Sequence, residues 1–275
     1  MVARRDTREE FLVSLWIVSN IPPLLLLLGL VVVIAGGAVL IQRFVRRQFP
    51  QLTQDAHNDV TKFAYGVIGF VYAFFIGFVV SAMWGQIGNA DAKARIEGAA
   101  GVQLAKDMTV FDKADRDRLR QSLLDYENAA LIEWPLSANG QFYPEADNAL
   151  RRLYTSYTQV KPQNEAQTTF LGTSFSNLDK ISQARTERVL QARTDIGPPW
   201  SLWVVIFVTT GMVLGCAIIY GVENPRIHYP MVATIGMLVA VNLFLVLELS
   251  HPYVGEMATS PEPLRQAVNV LTAPT

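Results

Sequence analysis

Four long runs without a charged residue alternate with a single long block in which charges recur throughout. The uncharged runs are Phe11 to Gln42, Phe63 to Met83, Ile196 to Val222 and Ile227 to Leu247. Each supplies the roughly 20 apolar residues that a helix rising about 1.5 Å per residue needs to cross a hydrocarbon core of about 30 Å. Pro22 and Pro23 divide the first run, which predicts a short interfacial helix over residues 8–20 and a span from about Pro23 to Ile41. A cleaved signal peptide is the competing reading of this end. Its apolar stretch would be shorter, and Arg43, Arg46 and Arg47 would not follow it.

The block from Gly85 to Asp195 carries 29 of the chain's 47 charged residues, 14 basic and 15 acidic, so it is expected in water. Its apolar positions repeat at three and four: Leu119, Leu123, Tyr126, Ala130 and Trp134; Leu150, Leu153, Tyr154 and Tyr157; Leu171, Phe175, Leu178 and Ile181. That period predicts helices, with Ser137 to Gly140 and Val160 to Asn164 as loops, and no strand signal. Phe111 to Gln121 places acidic residues in a first turn and basic ones behind them, an ordinary helix start. No proline interrupts Gln86 to Met108, so the first helix of the block is expected to continue the second span unbroken. The expected fold is an all-α membrane protein with four transmembrane helices and a helical soluble bundle inserted between the second and third. Its segments are residues 1–84, with the interfacial helix and the first two spans; 85–195, the soluble domain; 196–249, spans three and four; and 250–275, a C-terminal tail.

Composition supports the membrane reading, at 51% hydrophobic, 17% charged and a mean hydropathy of +0.24. A net charge of -1 gives no footprint for nucleic acid. Cys216 is the single cysteine, so no disulfide framework or cysteine metal site forms within one chain, and His57, His228 and His251 lack ligand spacing. GxSxG, P-loop, HExxH and GxGxxG motifs are absent, so neither enzyme chemistry nor a cofactor is expected. Four crossings place both termini and the soluble block on one side. Basic residues in the short loops do not choose the side, with Arg43, Arg46, Arg47, Lys62 and Arg226 against Arg4, Arg5, Arg8 and Arg265.

The second span has two stripes. Gly69, Ala73, Gly77 and Ser81 recur every four residues, the small-xxx-small pattern that lets membrane helices approach closely. Phe70, Phe74 and Phe78 form a second stripe about 100° around the helix. Rings on one side and close contacts on the other suit a helix packed in a ring of copies, although such stripes also serve lipid contact and packing within one subunit. Tyr65 and Trp84 fit an interfacial aromatic belt. Asn242, inside the fourth span, is expected to hydrogen-bond a neighbouring helix, Glu248 to lie at the interface, and Glu133 to pair structurally.

In that context, Gly69 to Gln86 ("GFVYAFFIGFVVSAMWGQ"), Tyr126 to Pro135 ("YENAALIEWP") and His251 to Leu271 ("HPYVGEMATSPEPLRQAVNVL") resemble the bestrophin-like family of bacterial membrane proteins. The resemblance runs from the second span onward; where the family commonly has an aspartate before the Pro-aromatic pair, this chain has Ser250, with Glu248 two residues earlier. It implies a pentameric anion channel in a bacterial inner membrane, with cytoplasmic helices, a hydrophobic neck lined by the second span, and small anions such as chloride as the cargo. Anchored on Gly69-Phe70 the neck candidates are Phe70, Phe74 and Phe78; anchored on Trp84 they are Val67, Val71 and Phe75. A ring of apolar side chains gates by dewetting and needs no intramembrane charge. Arg43, Arg46, Arg47 and Lys62 become pore-mouth candidates that concentrate anions, although such residues also set topology or meet anionic lipid. The alternative is a non-conducting scaffold or sensor whose helical soluble domain binds a partner.

Overall fold

A computed structural model describes residues 13–53, 58–194 and 197–273. Every regular element among them is helical, with no strand. In chain order these are α1 (13–20), α2 (Pro23–Gln48), α3 (Asn58–Asp107), α4 (Lys113–Ala138), α5 (Pro144–Thr158), α6 (Glu165–Thr194), α7 (Trp200–Ile219), α8 (Pro225–Leu249) and α9 (Glu262–Thr272). The interfacial helix expected over residues 8–20 is helical over 13–20, and its first residues lie outside the described ones. Helices α2, α3, α7 and α8 are each long and apolar enough to cross a membrane. Helix α3 runs for 50 residues without a break, as the proline-free stretch after Met83 predicts.

Two compact units share the chain. The first comprises residues 1–85 and 197–251. Two of its helices start where proline fixes φ and removes a donor that the first turn would leave unpaired: Pro23 opens α2 and Pro225 opens α8, where the Asn224 side chain also accepts from the Arg226 N–H at 3.0 Å. Helices α2 and α8 meet at a glycine. A β-carbon at position 236 would lie 2.7 Å from the Ala35 Cα, so only hydrogen fits there. Helix α7 joins α2 and α8 through a small core of Ala38, Ala217, Ile218 and Val232.

The second unit comprises residues 86–196 and 252–275. The three- and four-residue repeats predicted its core: Leu119, Leu123, Tyr126, Leu153, Tyr157, Leu178 and Ile181 are fully buried. Asp112 caps α4 by accepting from the Asp115 N–H at 2.8 Å. The expected loop at Ser137 begins two residues later, because α4 carries through Pro135 to Ala138 before Gly140 turns the chain at φ +72°. Helix α9 buries Leu264, Ala267 and Leu271, and Arg120 of α4 holds its end by donating to the carbonyls of Leu271 and Ala273 at 2.7 and 3.3 Å. Gly98 of α3 makes room for the first turn of α9, since a β-carbon there would clash with the Pro263 carbonyl.

Candidate functional site

The first candidate is the outer face of α3 within the first unit. Tyr72, Ile76, Val79 and Met83, spaced four, three and four, are the apolar residues this stretch buries against its own chain. Both stripes read from the sequence lie elsewhere on its surface. Phe70, Phe74 and Phe78 are 73%, 73% and 69% exposed, and Ala73, Gly77 and Ser81 are also exposed, with Gly69 half-buried. A β-carbon at Gly69 or Gly77 would meet nothing within 4 Å. Within one chain, then, neither stripe is used. The alternative set is less uniform, with Val67 and Val71 exposed and Phe75 half-buried. The buried face was not legible because it is as apolar as the exposed ones, and a membrane helix shows no polar side to orient the reading. The same limit hid the Gly236 contact.

The basic candidates differ in what they do. Arg43, Arg47 and Lys62 are exposed. Arg46 instead ties the end of α2 to the α7–α8 connection, donating from Nη1 to the Val222 carbonyl at 2.7 Å and from Nη2 to the Glu223 carbonyl at 2.8 Å. Its Nη1 also lies 3.1 Å from His228 Nδ1, and His228 Nε2 lies 3.1 Å from the Ala217 carbonyl. Because a carbonyl only accepts, Nε2 carries the imidazole proton and Nδ1 accepts from Arg46. Arg46→Met is therefore expected to lower unfolding stability by about 1–2 kcal/mol, since it leaves carbonyls without their charged donor. Arg43→Met is expected to leave the melting temperature unchanged. Equal losses in the two variants would remove the structural role assigned to Arg46.

The second candidate, which sequence reasoning missed except for Glu133, is a buried polar core in the second unit. Arg188 on α6 is fully buried and donates from Nε to Glu97 Oε2 at 2.9 Å, and from Nη2 to Glu97 Oε1 at 3.2 Å and Glu133 Oε2 at 3.3 Å. Arg185, one turn earlier, forks onto both oxygens of Glu133 at 2.9 and 2.5 Å and reaches Asp147 at 2.6 Å. The Tyr126 hydroxyl donates to Glu97 at 2.7 Å, and the Arg188 guanidinium carbon lies 4.9 Å from the centre of the Trp134 ring. Burial works against both arginine charges, but the facing carboxylates outweigh it and raise both pKa values. Burial, followed by the Glu97 charge, also raises the Tyr126 phenol well above its ordinary value. Glu248, expected at an interface, is buried in the last turn of α8. No group of three or more His, Cys, Asp or Glu among the described residues could hold a metal ion.

The Bestrophin-like domain family matches residues 32–264 of the chain. Among solved structures, two crystal structures of substituted forms of a bacterial bestrophin homologue from Klebsiella pneumoniae share the fold. One aligns with a TM-score of 0.68 at 13% identity, covering 91% of this chain and 99% of its own; the other with 0.67 at 14%, covering 90% and 97%. A structure described as a membrane protein aligns at 0.64 with 12% identity, covering 90% and 97%. No curated protein matches the sequence.

Proposed function

The chain belongs to the bestrophin-like family, and from that membership we infer that it is an integral membrane protein assembling as an oligomeric ion channel, a pentamer by kinship, that passes small anions such as chloride. The observation that carries this reading is the outer face of α3. A helix that buries Tyr72, Ile76, Val79 and Met83 in its own chain leaves Phe70, Phe74 and Phe78 unpartnered in one line. Copies arranged about an axis bring those rings together as a narrow apolar neck, and the stripe of Gly69, Ala73, Gly77 and Ser81 provides the close approach that adjacent copies need. Such a neck excludes strongly hydrated small cations more than halides, because a halide sheds its water at lower cost. Arg43, Arg47 and Lys62, repeated around the axis, raise the local anion concentration at one mouth, with Arg46 holding that end of the helices together. Residues 85–195 form the water-facing domain, on the same side as both termini and in the cytoplasm of a bacterial inner membrane, and line a vestibule. No step of this function uses enzyme chemistry or a cofactor.

Purified protein in liposomes under opposed chloride and potassium gradients tests the proposal. Chloride should carry the current, and Phe74→Ala should raise it by about tenfold, because a wider and less apolar constriction wets more readily. A Phe74→Ala current equal to that of the wild type would assign the phenylalanine stripe to lipid contact. Flux no greater than in empty vesicles, from inserted and folded protein, would favour the scaffold reading.

A further inference from the structure

We propose that Glu127 is a proton-binding site in the second unit, neutral while α9 is seated on α4, and that loss of its proton releases α9. The proposal concerns an internal device and does not rest on conduction.

Glu127 lies on α4 beside Tyr126 and is fully buried, and neither of its carboxyl oxygens has a hydrogen-bond partner among the described residues. Its position is fixed by two neighbours. A β-carbon at Gly101 of α3 would clash with Glu127 Oε1 and lie 3.2 Å from the Ala267 β-carbon, so carboxyl, glycine and α9 meet at one point. The charges around it balance without it: Glu97 of α3 and Glu133 of α4 accept from Arg188 and Arg185 of α6, Tyr126 donates to Glu97, and only Arg188 Nη1 is left without a hydrogen-bond partner among the described residues of this cluster. A charged Glu127 would be the surplus negative charge in this core, where an ion without a partner is expensive. Helix α9 offers it no compensation. Its buried residues, Leu264, Ala267 and Leu271, are apolar, and its Glu262 and Arg265 pair with each other in solvent at 3.4 Å. On α5, Asp147 is engaged with Arg185.

Burial first, and then the Glu97 charge, raise the Glu127 pKa well above the ordinary 4.5, with Arg188 acting in the opposite direction. A pKa raised by seating means that the seated state binds the proton more tightly than the released one. Seating is therefore strongest at low pH and weakens as pH rises from about 4.5 through the raised value. The other walls of the site are held by ion pairs, whereas α9 is an 11-residue helix held by three apolar side chains and the two Arg120 hydrogen bonds. It is the wall that gives way.

The test is amide hydrogen exchange of residues Glu262–Thr272 in the full-length protein in lipid nanodiscs, corrected for the intrinsic pH dependence of exchange. As pH rises from about 4.5 through the raised value, the wild type should lose about tenfold in protection there, and Glu127→Gln, which keeps the shape without the titration, should lose none. A flat wild-type profile, or the same loss in Glu127→Gln, overturns the proposal. Infrared spectroscopy of the unsubstituted protein provides a second arm that does not depend on the variant folding. The carbonyl band of a protonated carboxylic acid should be present while α9 is protected and disappear over the pH range in which α9 loses protection. Absence of that band also overturns the proposal.

Discussion

Arg188→Leu is expected to destabilise the protein by about 3–5 kcal/mol, because it removes one partner of a buried ion pair and strands the other. Glu97 and Arg188 are both fully buried, and Arg188 is the only guanidinium within hydrogen-bonding distance of Glu97 among the described residues. With leucine in place, Glu97 keeps only the Tyr126 hydroxyl, and Glu133 keeps Arg185. The carboxylate must then take up a proton, at a cost in stability that rises with pH, or draw in water, which opens the core between α3, α4 and α6. Thermal unfolding in detergent measures the loss. Pairing the change with Glu97→Gln should recover a large part of it, since a neutral pair leaves no stranded charge. A loss below about 1 kcal/mol for Arg188→Leu alone would mean that Glu97 is already hydrated, and the buried network would have to be abandoned.

Gly236→Leu is expected to cost on the order of 3 kcal/mol or more, which for a membrane protein of this size should appear as poor accumulation of folded protein. The atoms that the new β-carbon meets are Ala35 Cα at 2.7 Å, Ala35 Cβ at 3.1 Å and Ala35 N at 3.3 Å, mostly backbone that no rotamer change can move. Helices α2 and α8 would have to separate, and the first unit depends on that contact. Gly77→Leu is the informative comparison, because nothing lies within 4 Å of a β-carbon there. It should leave the single chain folded. If the small stripe packs between copies, it should also shift the oligomer to smaller species by size-exclusion chromatography with light scattering. A normal yield of Gly236→Leu would contradict the close packing of α2 on α8.

The spans were legible because a hydrocarbon core demands about 20 apolar residues in a row, and nothing else in this chain makes such runs. The helices of the second unit were legible for a different reason: Leu119, Leu123 and Tyr126, or Leu178 and Ile181, stand out against polar neighbours. The interior ions were not. Glu97, Arg185 and Arg188 sit among exposed charges of the same kinds, and only their position one or two helical turns from apolar core residues distinguishes them. Glu133, beside Trp134, was read as a structural pairing, and Arg185 is the partner that sequence alone could not supply. Arg46 shows the reverse problem. Its type and place suggested a mouth that attracts ions, and its two contacts with the α7–α8 connection and one with His228 of α8 give it a structural role that no periodicity encodes.

The second unit is discontinuous, leaving off at Ile196 and resuming at Pro252. During synthesis, α4, α5 and α6 emerge well before α9, with the two apolar helices α7 and α8 made in between. Until Glu262–Thr272 arrive, the α4 surface that α9 covers and the clefts over Gly98 and Gly101 stay open to solvent or to chaperones. The order of translation thus imposes an interval in which an unfinished helical unit must wait for two membrane insertions. Slow insertion of α7 and α8 should consequently appear as aggregation or proteolysis of the unit that precedes them.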